Sequence, residues 1–279
     1  MSTEEINDQA MPATPASEDT APIPYDGPTS PEPDREPEEY GFRFNFLQFI
    51  IGVGICVWYY SQYGYWEVLP YLAIVVVIHE LGHVVVGKSF GCIVKEMQVF
   101  LLEFVSYKPR PKAGGSSWRN IAWSLGTLPL GGFTVFQNRQ VDESDEPHAH
   151  PEATAATSPY LNDKPAWQRL LIAAAGVLFN FATFIILYVS MPLSAQWESM
   201  CLPVAFFSLA LAVLNILPVY PLDGGAILFA AYEMATGKRP SPRFTKVCAI
   251  VGFYLIIVFF WIFPEWITAI LDKVLALFF

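Results

Sequence analysis

Five long apolar stretches constrain this chain more than any other feature. They fall at residues 44–60, 69–87, 167–190, 203–219 and 247–263. Each approaches the roughly 20 residues that cross a bilayer core. A helix is the natural form for them, because it satisfies its own backbone where no water is present. Composition agrees: 53% of residues are hydrophobic, 15% are charged, and the mean hydropathy is +0.37. An ordinary soluble domain carries about 25% charge. A sixth piece, 265–279, is shorter, carries Asp272 and Lys273, and reads as an interfacial helix.

Charge is distributed unevenly. Residues 1–41 hold eleven acids, one base (Arg35) and eight prolines, which leaves the body balanced at fifteen acids and fifteen bases. Such a segment buries too little apolar surface to offset its ordering entropy and is expected to be a disordered acidic tail. A neutral body argues against a nucleic-acid partner. The acidic start argues against a cleaved secretory signal. If all five stretches span, fifteen of the sixteen Lys and Arg residues fall on one face. The positive-inside rule makes that face the cytoplasm. The two links on the other side, 61–67 and 191–202, contain none.

Residues 92–136 do not form a clean span. Val94–Tyr107 and Phe133–Phe136 favour strand, and Leu128–Phe133 reads Leu-Pro-Leu-Gly-Gly-Phe. A re-entrant β-hairpin between the second and third spans is expected there, which requires protein or water around its backbone. Residues 138–164 are acidic and rich in Ala, Pro, Thr and Ser, as in a flexible loop. His148 and His150 within it read as exposed and inert. Cys56, Cys92, Cys201 and Cys248 stand far apart, so neither a disulfide framework nor a thiolate zinc site is indicated. The expected architecture is thus a membrane α-helical fold of about five spans with a re-entrant hairpin. Its parts are a tail (1–41) and a polytopic domain (42–279) whose core is 69–236.

His79-Glu80-Leu81-Gly82-His83 carries the chemistry. On a helix, residues i and i+4 share a face, so both imidazoles can reach one Zn²⁺. A glutamate beside the first histidine is placed to take a proton from an attacking water. Ionisable groups inside a span are costly and usually functional. Zinc needs a third protein ligand, and Asp223 is the candidate, in Pro218-Val219-Tyr220-Pro221-Leu222-Asp223-Gly224-Gly225. The third span leaves and the fourth returns, bringing Asp223 back to the face of His79 and His83. Asn180 and Asn215 lie in or near spans, where they hydrogen-bond either substrate or neighbouring helices.

These residues resemble the site-2 protease family of intramembrane zinc metalloproteases. Four elements match in the family's order: His79 to His83, Leu128 to Phe133, Gly176 to Asn180, and Asn215 to Asp223. The resemblance implies one zinc per chain, held by His79, His83 and Asp223, with Glu80 catalytic. It implies that Gly131 and Gly132 of the hairpin, with Asn180 and Asn215, contact substrate. It implies a membrane-anchored protein substrate, generally pre-trimmed by another protease and cut in or near its membrane helix. It further implies a multi-pass protein of a bacterial inner membrane, and the basic residues place its N-terminus and site toward the cytoplasm. Val177 stands where the family usually has proline. The link 191–202 is too short for the PDZ domain many members carry there, and no CBS domain is expected, so this is a compact member. Two other classes compete: a silent scaffold that binds transmembrane helices, and another membrane HExxH peptidase such as a prenyl-protein protease. The first would show a lost ligand or base, and the second typically takes Glu as third ligand.

Overall fold

The computed structural model describes residues 40–63, 68–110, 117–139, 156–191 and 194–262. The chain divides into two units, residues 1–38 and 39–279, and every described residue belongs to the second. The expected disordered tail up to residue 39, the middle of loop 138–164 with His148 and His150, and the piece 265–279 lie outside the described residues.

A short strand, β1 (Gly41–Phe44), leads into α1 (Phe46–Tyr63). Asn45 starts this helix by accepting the Gln48 amide at 3.1 Å. Helix α2 (Val68–Ser89) ends where Gly91 takes a φ of +78°, and the Cys92 amide closes back on the Gly87 carbonyl at 2.9 Å. That left-handed stop turns the chain into the sheet.

Strands β2 (Val94–Lys108) and β3 (Ala122–Phe136) complete an antiparallel sheet of order β1-β2-β3. Phe100 and Leu102 adopt positive φ and bend β2. Its first half then lies between two segments of β3, so that Val99 pairs with both Leu125 and Gly132. The expected hairpin is therefore present but larger, and β1 joins it through Gly41↔Lys108 to Phe44↔Val105. Apolarity alone assigned Phe44 to the first span, whereas cross-strand pairing claims it for the sheet. Val76 and Val84 of α2 pack with Val94, Met97, Val99, Phe100 and Ile121 to join helix and sheet.

Helix α3 (Ala166–Ser190) is followed by α4 (Ala195–Asn215). The latter starts eight residues before the expected 203 because Ser194 caps it, accepting the Trp197 amide at 3.1 Å. Pro203 is accommodated inside it. Phe184, Met191, Cys201, Ala205 and Leu209 form the α3–α4 core. Helix α5 (Asp223–Thr236) ends at Gly237 with φ +69°, and α6 (Pro242–Ile262) begins at a proline that suits a first turn.

Among the described residues, three helices are long and apolar enough to cross a membrane: Leu69–Ser89, Ala166–Ser190 and Ala195–Asn215. Large apolar side chains face outward on several helices, including Phe46 and Leu47 of α1, Ile186 and Val189 of α3, and Val247 and Tyr254 of α6. Outward-facing apolar side chains in such numbers suit lipid surroundings better than water. The protein is an integral membrane protein.

Candidate metal centre

His79 and His83 stand one turn apart on α2, 5% and 7% exposed, and Glu80 beside them is 3% exposed. Asp223 opens α5. Its loop is tight enough that a Cβ on Gly224 would fall 2.2 Å from the Leu217 carbonyl oxygen, so only glycine fits there. This turn carries the carboxylate back to the histidines. Asp223 Oδ2 lies 3.0 Å from His79 Nε2 and 3.4 Å from His83 Nε2, and the two ring nitrogens are 3.3 Å apart. Donors around a tetrahedral zinc, each at 2.0–2.1 Å, sit about 3.3 Å from one another.

The donor set fits the ion chemically as well. His83 Nδ1 donates to the Ile172 carbonyl at 2.8 Å, which leaves the Nε2 lone pair facing the centre. Asp223 Oδ2 is buried and faces the two imidazole nitrogens. A carboxylate oxygen and two imidazole nitrogens converging in a buried site are suited to a cation.

Helix α3 forms the back wall. A Cβ on Gly176 would fall 2.5 Å from His83 Nε2 and 2.7 Å from His79 Nε2. Any side chain there would occupy the space of the imidazoles. On α2, Gly82 approaches α3 so closely that its Cβ would be 2.7 Å from the Ala175 carbonyl oxygen. These two glycines let the helices meet at the histidines.

The sheet forms the opposite wall. Thr134 Oγ1 donates to Glu80 Oε2 at 2.7 Å. Gly132 lies against the same side chain, where a Cβ would be 3.2 Å from Glu80 Cγ and 2.5 Å from the Gln98 carbonyl oxygen. Gly131 has a φ of +100° and open space around it. Among the described residues, no strand pairs with the outer side of 132–136.

Asn215 is half-buried at the end of α4 and donates to the Leu211 carbonyl at 3.1 Å. Asn180 has no exposed surface, and its amide nitrogen sits 3.2 Å from His79 Nδ1. Thr134 and the steric role of Gly176 were not anticipated. A glycine inside an apolar span was the signal for the second; nothing in the local sequence pointed to the first.

The family described as peptidase family M50 matches residues 68–195 and 191–259. Metalloprotease MmpA of Caulobacter vibrioides is 27% identical over 128 residues, covering 42% of this chain and 30% of that protein. A Clostridium perfringens protein provisionally named a zinc metalloprotease is 29% identical over 120 residues, covering 43% of this chain and 30% of its own length. The matched part thus spans under a third of these relatives. The solved structure of a site-2 protease from Methanocaldococcus jannaschii aligns over 81% of both chains with a TM-score of 0.45 and 20% identity.

Proposed function

The chain belongs to peptidase family M50, and from that premise we propose that it is an intramembrane zinc metalloprotease. It hydrolyses a peptide bond in or near a transmembrane helix of a membrane-anchored protein. The observation that carries this reading is the convergence of His79 Nε2, His83 Nε2 and Asp223 Oδ2 within 4.8 Å of one another, beside Glu80.

His79, His83 and Asp223 would hold one zinc. The ion, when bound, supplies a Lewis acid for the scissile carbonyl and strengthens water as a nucleophile. Glu80 takes the proton of the attacking water and hands it to the leaving amine. Thr134 aims its carboxylate. The open edge of 132–136 adds an unwound substrate segment as a further strand, through backbone hydrogen bonds. Glycine at 131 and 132 keeps that edge free of side chains beside Glu80. Asn215 hydrogen-bonds the substrate near the third ligand.

The bilayer arrangement belongs to the same reading. Five helices span (α1, α2, α3, α4 and α6) and the sheet is re-entrant. The N-terminus and site face the cytoplasm of a bacterial inner membrane, as the basic residues indicate. Substrates arrive already shortened by another protease.

The test uses purified full-length protein in mild detergent with an unfolded protein such as casein. Cleavage is expected to need zinc, to stop on chelation, and to fall at least 100-fold in Glu80→Gln while zinc content stays at the wild-type level. Cleavage of equal rate in Glu80→Gln would overturn the assignment.

A further inference from the structure

Helix α3 presents one stripe to the metal centre: Ile172, Gly176 and Asn180, each four residues apart and so on one face. The first supplies a carbonyl to His83 Nδ1 at 2.8 Å, and the second supplies space. Asn180, with no exposed surface, stands 3.2 Å from the matching nitrogen, His79 Nδ1. We propose that Asn180 is a positioning residue that holds His79 as a metal ligand by accepting its Nδ1–H, rather than a contact for substrate. This rests on the metal-centre reading above.

Donors and acceptors at the two Nδ1 atoms carry the assignment. A carbonyl oxygen can only accept, so Ile172 places the His83 proton on Nδ1 and leaves Nε2 free to ligate. His79 needs the same arrangement, and the Asn180 amide is the group at its Nδ1. Amide oxygen and nitrogen have nearly the same shape and exchange places by a half-turn of the side chain. With Nδ2 toward the ring, His79 Nδ1 must accept. Its proton then sits on Nε2, facing Asp223 Oδ2 at 3.0 Å, and His79 is a donor to the carboxylate instead of a ligand. In that orientation Asn180 Oδ1 is also left buried without a partner. With Oδ1 toward the ring, the orphaned oxygen accepts Nδ1–H, and the Nε2 lone pair points at the metal. The two amide orientations therefore correspond to two states of His79, and zinc selects the second. A neutral amide does this inside a span without burying a further charge beside Asp223.

Outer partners of ligating histidines typically change metal affinity by about 10–100-fold. The experiment measures zinc affinity by chelator competition on the purified full-length protein, with thermal unfolding alongside. Wild type is expected to bind one zinc, and Asp223→Ala to lose it. Asn180→Leu, similar in volume but without an acceptor, is expected to bind about 10–100-fold more weakly. Asn180→Asp restores an acceptor at Nδ1 and is expected to stay near wild type. If Asn180→Leu does not fold, Asn180→Ser is read in the same way, because its oxygen is too short to reach Nδ1. Wild-type affinity in Asn180→Leu, or equal weakening in Asn180→Asp, overturns the proposal. Absence of zinc from wild type, or its retention by Asp223→Ala, instead overturns the metal centre on which the proposal stands.

Discussion

At Gly176 a single hydrogen atom leaves room for the proposed metal centre. The imidazoles of His79 and His83 occupy the volume that any Cβ at this position would claim. Gly176→Ala is therefore expected to cut zinc affinity at least tenfold while helix content stays unchanged, as read by metal analysis and circular dichroism. Full zinc in a folded Gly176→Ala protein would show that the rings do not lie where the account puts them. Thr134 is the counterpart on the sheet side. Its hydroxyl holds Glu80 Oε2 at 2.7 Å. A hydrogen bond to a charged group contributes roughly 1.5–3 kcal/mol. Thr134→Val is thus expected to lower kcat about 10–100-fold with zinc content unchanged. Equal turnover would mean Glu80 is aimed by something else. Between them these residues mark the edge of what the sequence makes readable. As proposed site residues, His79, Glu80 and His83 stand out because such groups are rare inside an apolar run, and Asp223 stands out through the order of the spans. Gly176, Thr134 and the placement of Asn180 matter only through which helix or strand stands opposite, and no local pattern carries that.

Among the elements, α5 has the most demanding position, since its first residue must meet α2 across the interior. Its far end is tied down. Glu233 receives Arg169 of α3 through a short ion pair and Arg239 at 2.9 Å. Arg239 also donates to the Asn162 carbonyl at 2.5 Å. The loop 138–164 has the composition of a loose segment, yet its described end, 156–164, is docked. Lys164 is fully buried and donates to the carbonyls of Phe90 at 2.5 Å and Ala156 at 2.8 Å. Burial pushes its ammonium below the ordinary lysine range. Composition reports what a segment can bury by itself, and says nothing of a single lysine that finds a helix end. Breaking a half-buried pair costs more than breaking an exposed one and less than a fully buried one, roughly 2 kcal/mol. Glu233→Gln is expected to lower the unfolding midpoint in detergent clearly, while Glu198→Gln on exposed surface does not. Equal midpoints would remove the clamp from the account. The sheet gives the same lesson: its strand-favouring patches were legible, while the recruitment of β1 and the double pairing of Val99 are products of register across the chain.

For the whole molecule the question is which face each link occupies. The apolar stretches were legible because a bilayer demands length and hydropathy, two properties of sequence alone. Their ends were less so, as the start of α4 at Ala195 shows, because caps set them. The native cysteines suit a labelling experiment: Cys56, Cys92 and Cys201 are buried and Cys248 is partly so. With five spans, a cysteine at Gln196 is expected to react with an impermeant maleimide from outside the cell, and one at Lys238 only after lysis. Reaction of both from outside would rule out the five-span arrangement. The proposed function stands or falls with two histidines of one helix and an aspartate from a distant turn closing around one zinc. The most direct measurement is zinc per purified protein for wild type and Asp223→Ala, both confirmed as folded. About one zinc is expected in wild type, with clear loss in the variant. A folded wild type that takes up no zinc, even when the metal is added, would contradict it.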